Sequence, residues 1–211
     1  MKTKKFVALL LALVMLLGVA AACNGESGDD LHKEGRQDAD GKAEIALITD
    51  VGTIDDKSFN QGSWEGVVKY AIDNDKTFKY FQPTEKSDAA YINSINLAIE
   101  GGAKIIVTPG FLFEGPIHTV QDQFPDVHFI LIDGYPHAGD FVPDISDNVI
   151  GILYAEEESG YLAGYAAVHE GYRDLGFMGG MAVPAVVRFG YGFLQGADDA
   201  AAELNLAAGD I

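Results

Sequence analysis

Apolar and polar positions alternate in blocks along this chain, and the blocks predict alternating strands and helices. Ile45 to Ile48 is a short unbroken apolar run, as expected of a parallel strand covered on both faces. A polar loop follows, and then Trp64, Val67, Val68 and Ala71 recur at helical spacing. Phe78 to Phe81 reads as a second strand, made less buried by Lys79. Asp88 to Glu100 reads as a second helix, stopped by Gly101 and Gly102. Lys104 to Thr108 is a third strand that ends at Pro109-Gly110, and Glu114 to Phe124 is a third helix with Pro116 in its first turn. His128 to Ile132 is a fourth strand, ending at Asp133-Gly134. This alternation predicts an α/β fold built on a parallel sheet with right-handed crossovers.

The second half repeats the pattern. Asp144 to Gly151 reads as a connection, and Tyr154 to Glu170 as a helix. Its acidic start, Glu156-Glu157-Glu158, suits the positive end of the helix dipole and reads as a solvated face. Leu175 to Met178 reads as a new strand, followed by Gly179-Gly180 and a helix from about Ala185 to Leu204. The expected organisation is a first α/β lobe over 43–150, a connecting helix region over 151–173, and the start of a second, incomplete lobe over 174–211. Arg188 could face a cleft or the solvent.

Candidate chemistry collects where strands end. In open α/β sheets, ligands bind in the crevice beyond the carboxyl ends of the strands. That edge receives Asp50, Gly110 with Phe111, and Asp133. Phe59 joins them from the first turn of a helix whose start, Ser58 with Gln61, has the spacing of a capping box. Carboxylates accept from N–H and O–H groups, and rings stack on flat faces, so the set suits a flat, polar ligand. A plainer reading stands beside this one: Asp50 and Asp133-Gly134 as turn residues, Phe59 as a helix staple, Phe111 as core.

The amino terminus changes the setting. Lys2, Lys4 and Lys5 precede the apolar run Phe6 to Leu17, and small residues 18–22 follow, as in an export signal over residues 1–22. Ala20-Ala21-Ala22-Cys23 resembles a bacterial lipobox, which implies that Cys23 carries the lipid. Residues 23–42 are polar, charged and Gly-rich, and read as a flexible tether. The expected location is the extracytoplasmic face of a bacterial cell membrane, held by lipid. With 48% hydrophobic and 22% charged residues the remainder has a globular balance. A net charge of −18 opposes nucleic-acid binding. Cys23 is the single cysteine, which excludes an intrachain disulfide, and the five histidines have no metal-ligand spacing. No cofactor is expected.

Several blocks together resemble the basic membrane protein family, the PnrA-like substrate-binding lipoproteins of ABC transporters. They are Asp50-x-Gly52-x-x-Asp55-x-x-Ser58-Phe59-Asn60-Gln61, Trp64-Glu65-Gly66 and Thr108-Pro109-Gly110-Phe111. Phe124-Pro125-Asp126-Val127 leads to Asp133, and then come Gly160-Tyr161-Leu162-Ala163-Gly164, Gly176 to Met181, and Gly192-Phe193 with Gly196-Ala197. The resemblance implies a type I periplasmic-binding-protein fold, in which two lobes close on a ligand and a membrane permease recognises the closed form. It implies a purine nucleoside as ligand, with Asp50 and Phe59 on the base and Asp133 after a later strand. Val51 stands where some nucleoside binders carry asparagine. Family members run well past 300 residues, so the second lobe is expected to be incomplete here. Two other functions compete with this one: a ligand-sensing regulator of the same fold, and a Mg-dependent phosphoryl-transfer enzyme using Asp50, Asp55 and Asp56. The second lacks a DxD pattern after the first strand and any Ser/His/Asp set.

Overall fold

The computed structural model describes residues 32–207. The signal segment, Cys23 and the first part of the expected tether lie outside the described residues. Five strands, β1 (Ile45–Ile48), β2 (Phe78–Phe81), β3 (Ile105–Pro109), β4 (His128–Ile132) and β5 (Val149–Ile152), form one sheet in the order β2-β1-β3-β4-β5. Every pairing is parallel. The helices are α1 (Phe59–Asp73), α2 (Asp88–Glu100), α3 (Glu114–Val120), α4 (Glu156–His169) and α5 (Pro184–Glu203), with a 3-10 turn at Phe111–Phe113.

The apolar run of β1 explains the layering. Its four residues are all buried. Ile45 and Leu47 join Trp64, Val67, Val68, Ala71 and Phe78 under α1. Ala46 and Ile48 point the other way, into the cluster built by Tyr91, Ile95, Phe113, Ile117 and Phe129 under α2 and α3. Burial of each such large side chain stabilises by about 1.5–3 kcal/mol. Trp64 anchors its side, with ring centroids 5.5 Å from Phe78 and 5.4 Å from Tyr80.

Residues 32–42, expected as the end of a flexible tether, are instead held on the lobe. The Trp64 indole N–H donates to the carbonyl of His32 at 2.5 Å. Arg36 pairs with Phe78 along the outer edge of β2, N to O at 2.8 Å and O to N at 2.6 Å. Its guanidinium donates to the carbonyls of Ala71, in the last turn of α1, and of Lys76, just beyond it. Gly35 makes the approach possible: its φ is +77°, and a Cβ there would fall on the carbonyl oxygen of Phe78. The polar composition hid a backbone ladder, because such a ladder needs no apolar side chain.

Two further expectations change. The stretch expected as a connection contains β5, which pairs with β4 from Phe129–Val149 to Ile132–Ile152. It is an edge strand with Ile150 and Ile152 exposed, so its pattern lacks the signature of a buried strand. Leu175 to Met178 forms no strand. A strand needs a neighbour for its N–H and C=O groups, and among the described residues every sheet strand belongs to the first lobe. The second half is therefore a parallel helix pair, α4 beside α5, with Glu156 meeting Arg188 at the start of both helices and His169 meeting Glu203 at their ends. It is packed through Gly160, Gly164, Gly192 and Gly196, where a methyl group would strike the backbones of Phe189, Phe193, Glu157 and Tyr161 respectively. Leu162, Met178, Tyr191 and Leu194 remain exposed around the pair. No helix among the described residues is long and apolar enough to cross a membrane.

Candidate functional site

All five candidate residues lie at the carboxyl edge of the sheet. Asp50 stands two residues beyond β1. Its Oδ1 accepts from the backbone N–H of Gly52 at 2.5 Å and from Asn60 Nδ2 at 2.7 Å, while Asn60 Oδ1 accepts from the Asp50 N–H at 3.3 Å. Asn60 is buried at the start of α1, and sequence reasoning missed it. A polar residue on the inward face of an otherwise apolar stripe was the available signal. The Asp50 Oδ1 is thus committed to the loop.

The expected capping box is not formed. Ser58 makes no side-chain cap bond. Asp56 caps the helix instead, accepting from the backbone N–H groups of Ser58 (2.8 Å), Gln61 (3.1 Å) and Asn60 (3.4 Å), and from Asn60 Nδ2 (2.9 Å). Burial pushes its carboxyl upward, but these donors outweigh burial and hold it below the ordinary aspartate value. Gln61 Oε1 turns back to the N–H of Lys57 at 2.9 Å. A carboxylate is a stronger acceptor than a hydroxyl and wins the helix start.

Phe59 is 46% exposed, so it is neither core nor staple. Its ring faces Tyr154 with centroids 6.3 Å apart and planes at 45°. Tyr154, on the chain leaving β5, was not singled out from sequence. Both rings line the rim of a cavity of about 780 Å³ between α1 and the β3–β4 face. Its floor is Val107, Ile130 and Ile132, with few polar groups to orient a ligand. Asp50 and Asp133 stand on the same sheet edge but do not line this cavity, so size alone does not identify the polar site.

Phe111 and Asp133 are brought together in a second cavity, of about 230 Å³, shared with Glu114, Tyr135, His137 and Arg188. Gly110 takes φ +103° after β3, and its N–H donates to the carbonyl of Ile132 at 2.7 Å. Asp133 follows β4 with φ +67°, its N–H bonded to Ile152 O at 2.7 Å. Burial, then the neighbouring Glu156 and Glu114 carboxylates, push the Asp133 carboxyl up to about 6, against the pull of Arg188.

Glu156, expected on a solvated helix start, has a side chain only 3% exposed. Arg188 Nε donates to its Oε2 at 2.6 Å, and this settles where Arg188 points. Burial pushes the Glu156 carboxyl up, but the Arg188 bond and charge and backbone N–H donors prevail and keep it low. Glu114, also buried, accepts from the Tyr135 N–H at 3.3 Å and from His137 Nε2 at 3.0 Å. His137 Nδ1 accepts from the Gly139 N–H, which assigns the proton to Nε2. This cluster pins the loop after β4. Among the described residues no group of three His, Cys, Asp or Glu side chains is arranged to hold a metal ion.

A five-stranded parallel sheet flanked by helices, with carboxylates and rings at its carboxyl edge, has the architecture of the type I periplasmic-binding-protein fold class. The chain belongs to the Bmp family, described as ABC transporter substrate-binding protein PnrA-like, whose pattern matches residues 43–208. It is 31% identical over 202 residues to a CD4+ T-cell-stimulating antigen of Listeria innocua, a match covering 93% of this chain and 54% of that protein. It is 29% identical to the ABC transporter nucleoside-binding protein BmpA of Lactococcus lactis, covering 92% of this chain and 53% of that protein. Among solved structures it resembles an ABC transporter solute-binding protein of Aeropyrum pernix, with TM-score 0.61 and 25% identity over 78% of this chain and 45% of that one. The chain thus spans about half the length of the relatives it matches.

Proposed function

We propose that this chain is the first lobe, with the beginning of the second, of a lipid-anchored binding protein that delivers a purine nucleoside to an ABC permease. The carrying observation is the pairing of an exposed aromatic, Phe59 with Tyr154, with acceptor carboxylates along one sheet edge. Rings stack on a base, and Asp50 and Asp133 accept from its N–H groups or from sugar hydroxyls. Gly110 and Phe111 shape the turn between them. The name of the Lactococcus lactis relative supports the nucleoside. Ligand favours the closed form through contacts it makes only there, and no catalysis is involved. Cys23 carries the lipid that keeps the protein at the membrane.

The test is calorimetric titration of the soluble two-lobed protein, starting after Cys23, with guanosine, adenosine, inosine, cytidine and ribose. Purine nucleosides should bind, and Asp50→Ala should abolish the heat. Binding of none of them removes the nucleoside from the reading.

A further inference from the structure

Four elements converge on the Asp133 side chain. Strand β4 delivers it, α3 contributes Glu114, α4 contributes Glu156 with Glu157 behind it, and α5 contributes Arg188. His137, in the loop after β4, is occupied by Glu114. Two carboxylates, Glu114 and Glu156, therefore act on Asp133 against one guanidinium, and that guanidinium is already engaged by Glu156 Oε2.

The other Glu156 oxygen is the informative atom. Oε1 is buried and has no hydrogen-bond partner among the described residues. A buried carboxylate oxygen without a donor is strongly unfavourable. Asp133 lines the same cavity as Arg188, whose Nε sits 2.6 Å from Glu156 Oε2, and this sets the Asp133 carboxyl beside the Glu156 side chain. Two ionised carboxylates so placed repel. One proton between them turns the repulsion into a hydrogen bond and satisfies Oε1 at the same time. Arg188 decides its position: by stabilising ionised Glu156 it leaves the proton on Asp133.

We propose that Asp133 is a neutral acid that donates its proton to Glu156 Oε1, with Glu156 and Arg188 as positioning residues that join the first lobe to the α4–α5 pair. The raised titration of Asp133 agrees with this geometry. The inference rests on the reading of Asp133 as a ligand-facing residue only for its consequence. With its proton committed to Glu156, Asp133 offers a ligand one uncharged acceptor, its carbonyl oxygen. Such a site takes a neutral N–H or O–H donor and gains little from a cationic one.

The test needs no ligand. Carboxyl ¹³C NMR of the soluble protein starting after Cys23 follows Asp133 through pH 3–8, with Asp133→Asn used to assign its signal. The expected result is a titration at least one unit above that of an ordinary aspartate. In Glu156→Gln, whose side-chain amide can donate to ionised Asp133, the titration should fall back by at least one unit, a tenfold or greater loss of proton affinity. In Arg188→Met the Asp133–Glu156 pair loses its cation, and its first proton loss should move to higher pH. An Asp133 that titrates in the ordinary range in the unaltered protein overturns the proposal, whether or not the variants fold. So does a raised titration that Glu156→Gln leaves in place. Failure of nucleosides to bind would leave these readings untouched.

Discussion

Asn60 and Asp50 hold each other in both directions across the loop between β1 and α1. The amide N–H of Asn60 reaches Asp50 Oδ1 at 2.7 Å, and its carbonyl oxygen receives the Asp50 backbone N–H at 3.3 Å. The same amide nitrogen lies 2.9 Å from Asp56 Oδ2, so one buried side chain fixes both the candidate ligand residue and the helix cap. Asn60→Ala should therefore cost about 1–3 kcal/mol of stability, the usual penalty for breaking buried hydrogen bonds, and should weaken ligand binding too. Asn60→Asp should be worse, because it sets a third carboxylate between two others. Urea unfolding monitored at Trp64 measures both.

Phe59 separates a packing role from a binding role. Because it is half exposed and, among the described residues, its one ring neighbour is Tyr154, Phe59→Ala should change stability by less than about 1 kcal/mol, in the range for surface positions. Loss of a stacking partner is worth roughly 1–3 kcal/mol per base, so nucleoside affinity should fall about tenfold or more. A large loss of stability with unchanged affinity would return Phe59 to the role of a staple.

The titration of Asp133 has a defined sign in stability. Its folded carboxyl titrates at about 6, above the ordinary 3.8. Between those values the native state holds the proton more tightly than the unfolded chain, so stability falls as pH rises through the window. The contribution is complete below the unfolded value and lost above about 6. Compared with Asp133→Asn, the unaltered protein should lose urea stability between pH 4.5 and 6.5, with the difference flat beyond pH 7. A difference that grows with pH would contradict the raised value.

The α4–α5 contact should tolerate no methyl group. At Gly164 and Gly196 a Cβ would strike the backbones of Phe193 and Tyr161. Each position gains helix propensity as alanine, roughly 1 kcal/mol in isolation, so a stabilising change is the naive expectation. The opposite should be seen: Gly164→Ala and Gly196→Ala should each lower the melting temperature by several degrees, as overpacking costs of about 1–3 kcal/mol do.

What the sequence made legible follows from which signals are local. The β1 run and the stripe of Trp64, Val67, Val68 and Ala71 carry their own periodicity, and the strand ends they imply placed Asp50, Gly110, Phe111 and Asp133 at one edge. β5 carries little periodicity because half its residues face outward, and it was read as a connection. Glu156 looked like solvent-facing charge because neighbours in sequence suggested it. Only the approach of α5, which brings Arg188 to 2.6 Å, makes burial of that carboxylate tolerable. Asp56 displaced Ser58 as cap because the chain before α1 turns back on itself. Each of these depends on contacts between residues far apart or on a loop path, which no spacing rule contains.

The docking of Arg36 on β2 sets a leash length. If Cys23 carries the proposed lipid, nine residue steps separate it from His32, a reach of at most about 30 Å at 3.3–3.6 Å per residue. A tether free as far as Lys42 would have roughly twice that reach, and so about eight times the volume to wander in. On the proposed anchoring, holding 32–42 on the sheet edge would raise the local concentration of this lobe at the membrane surface several-fold, through one arginine seated where α1 ends.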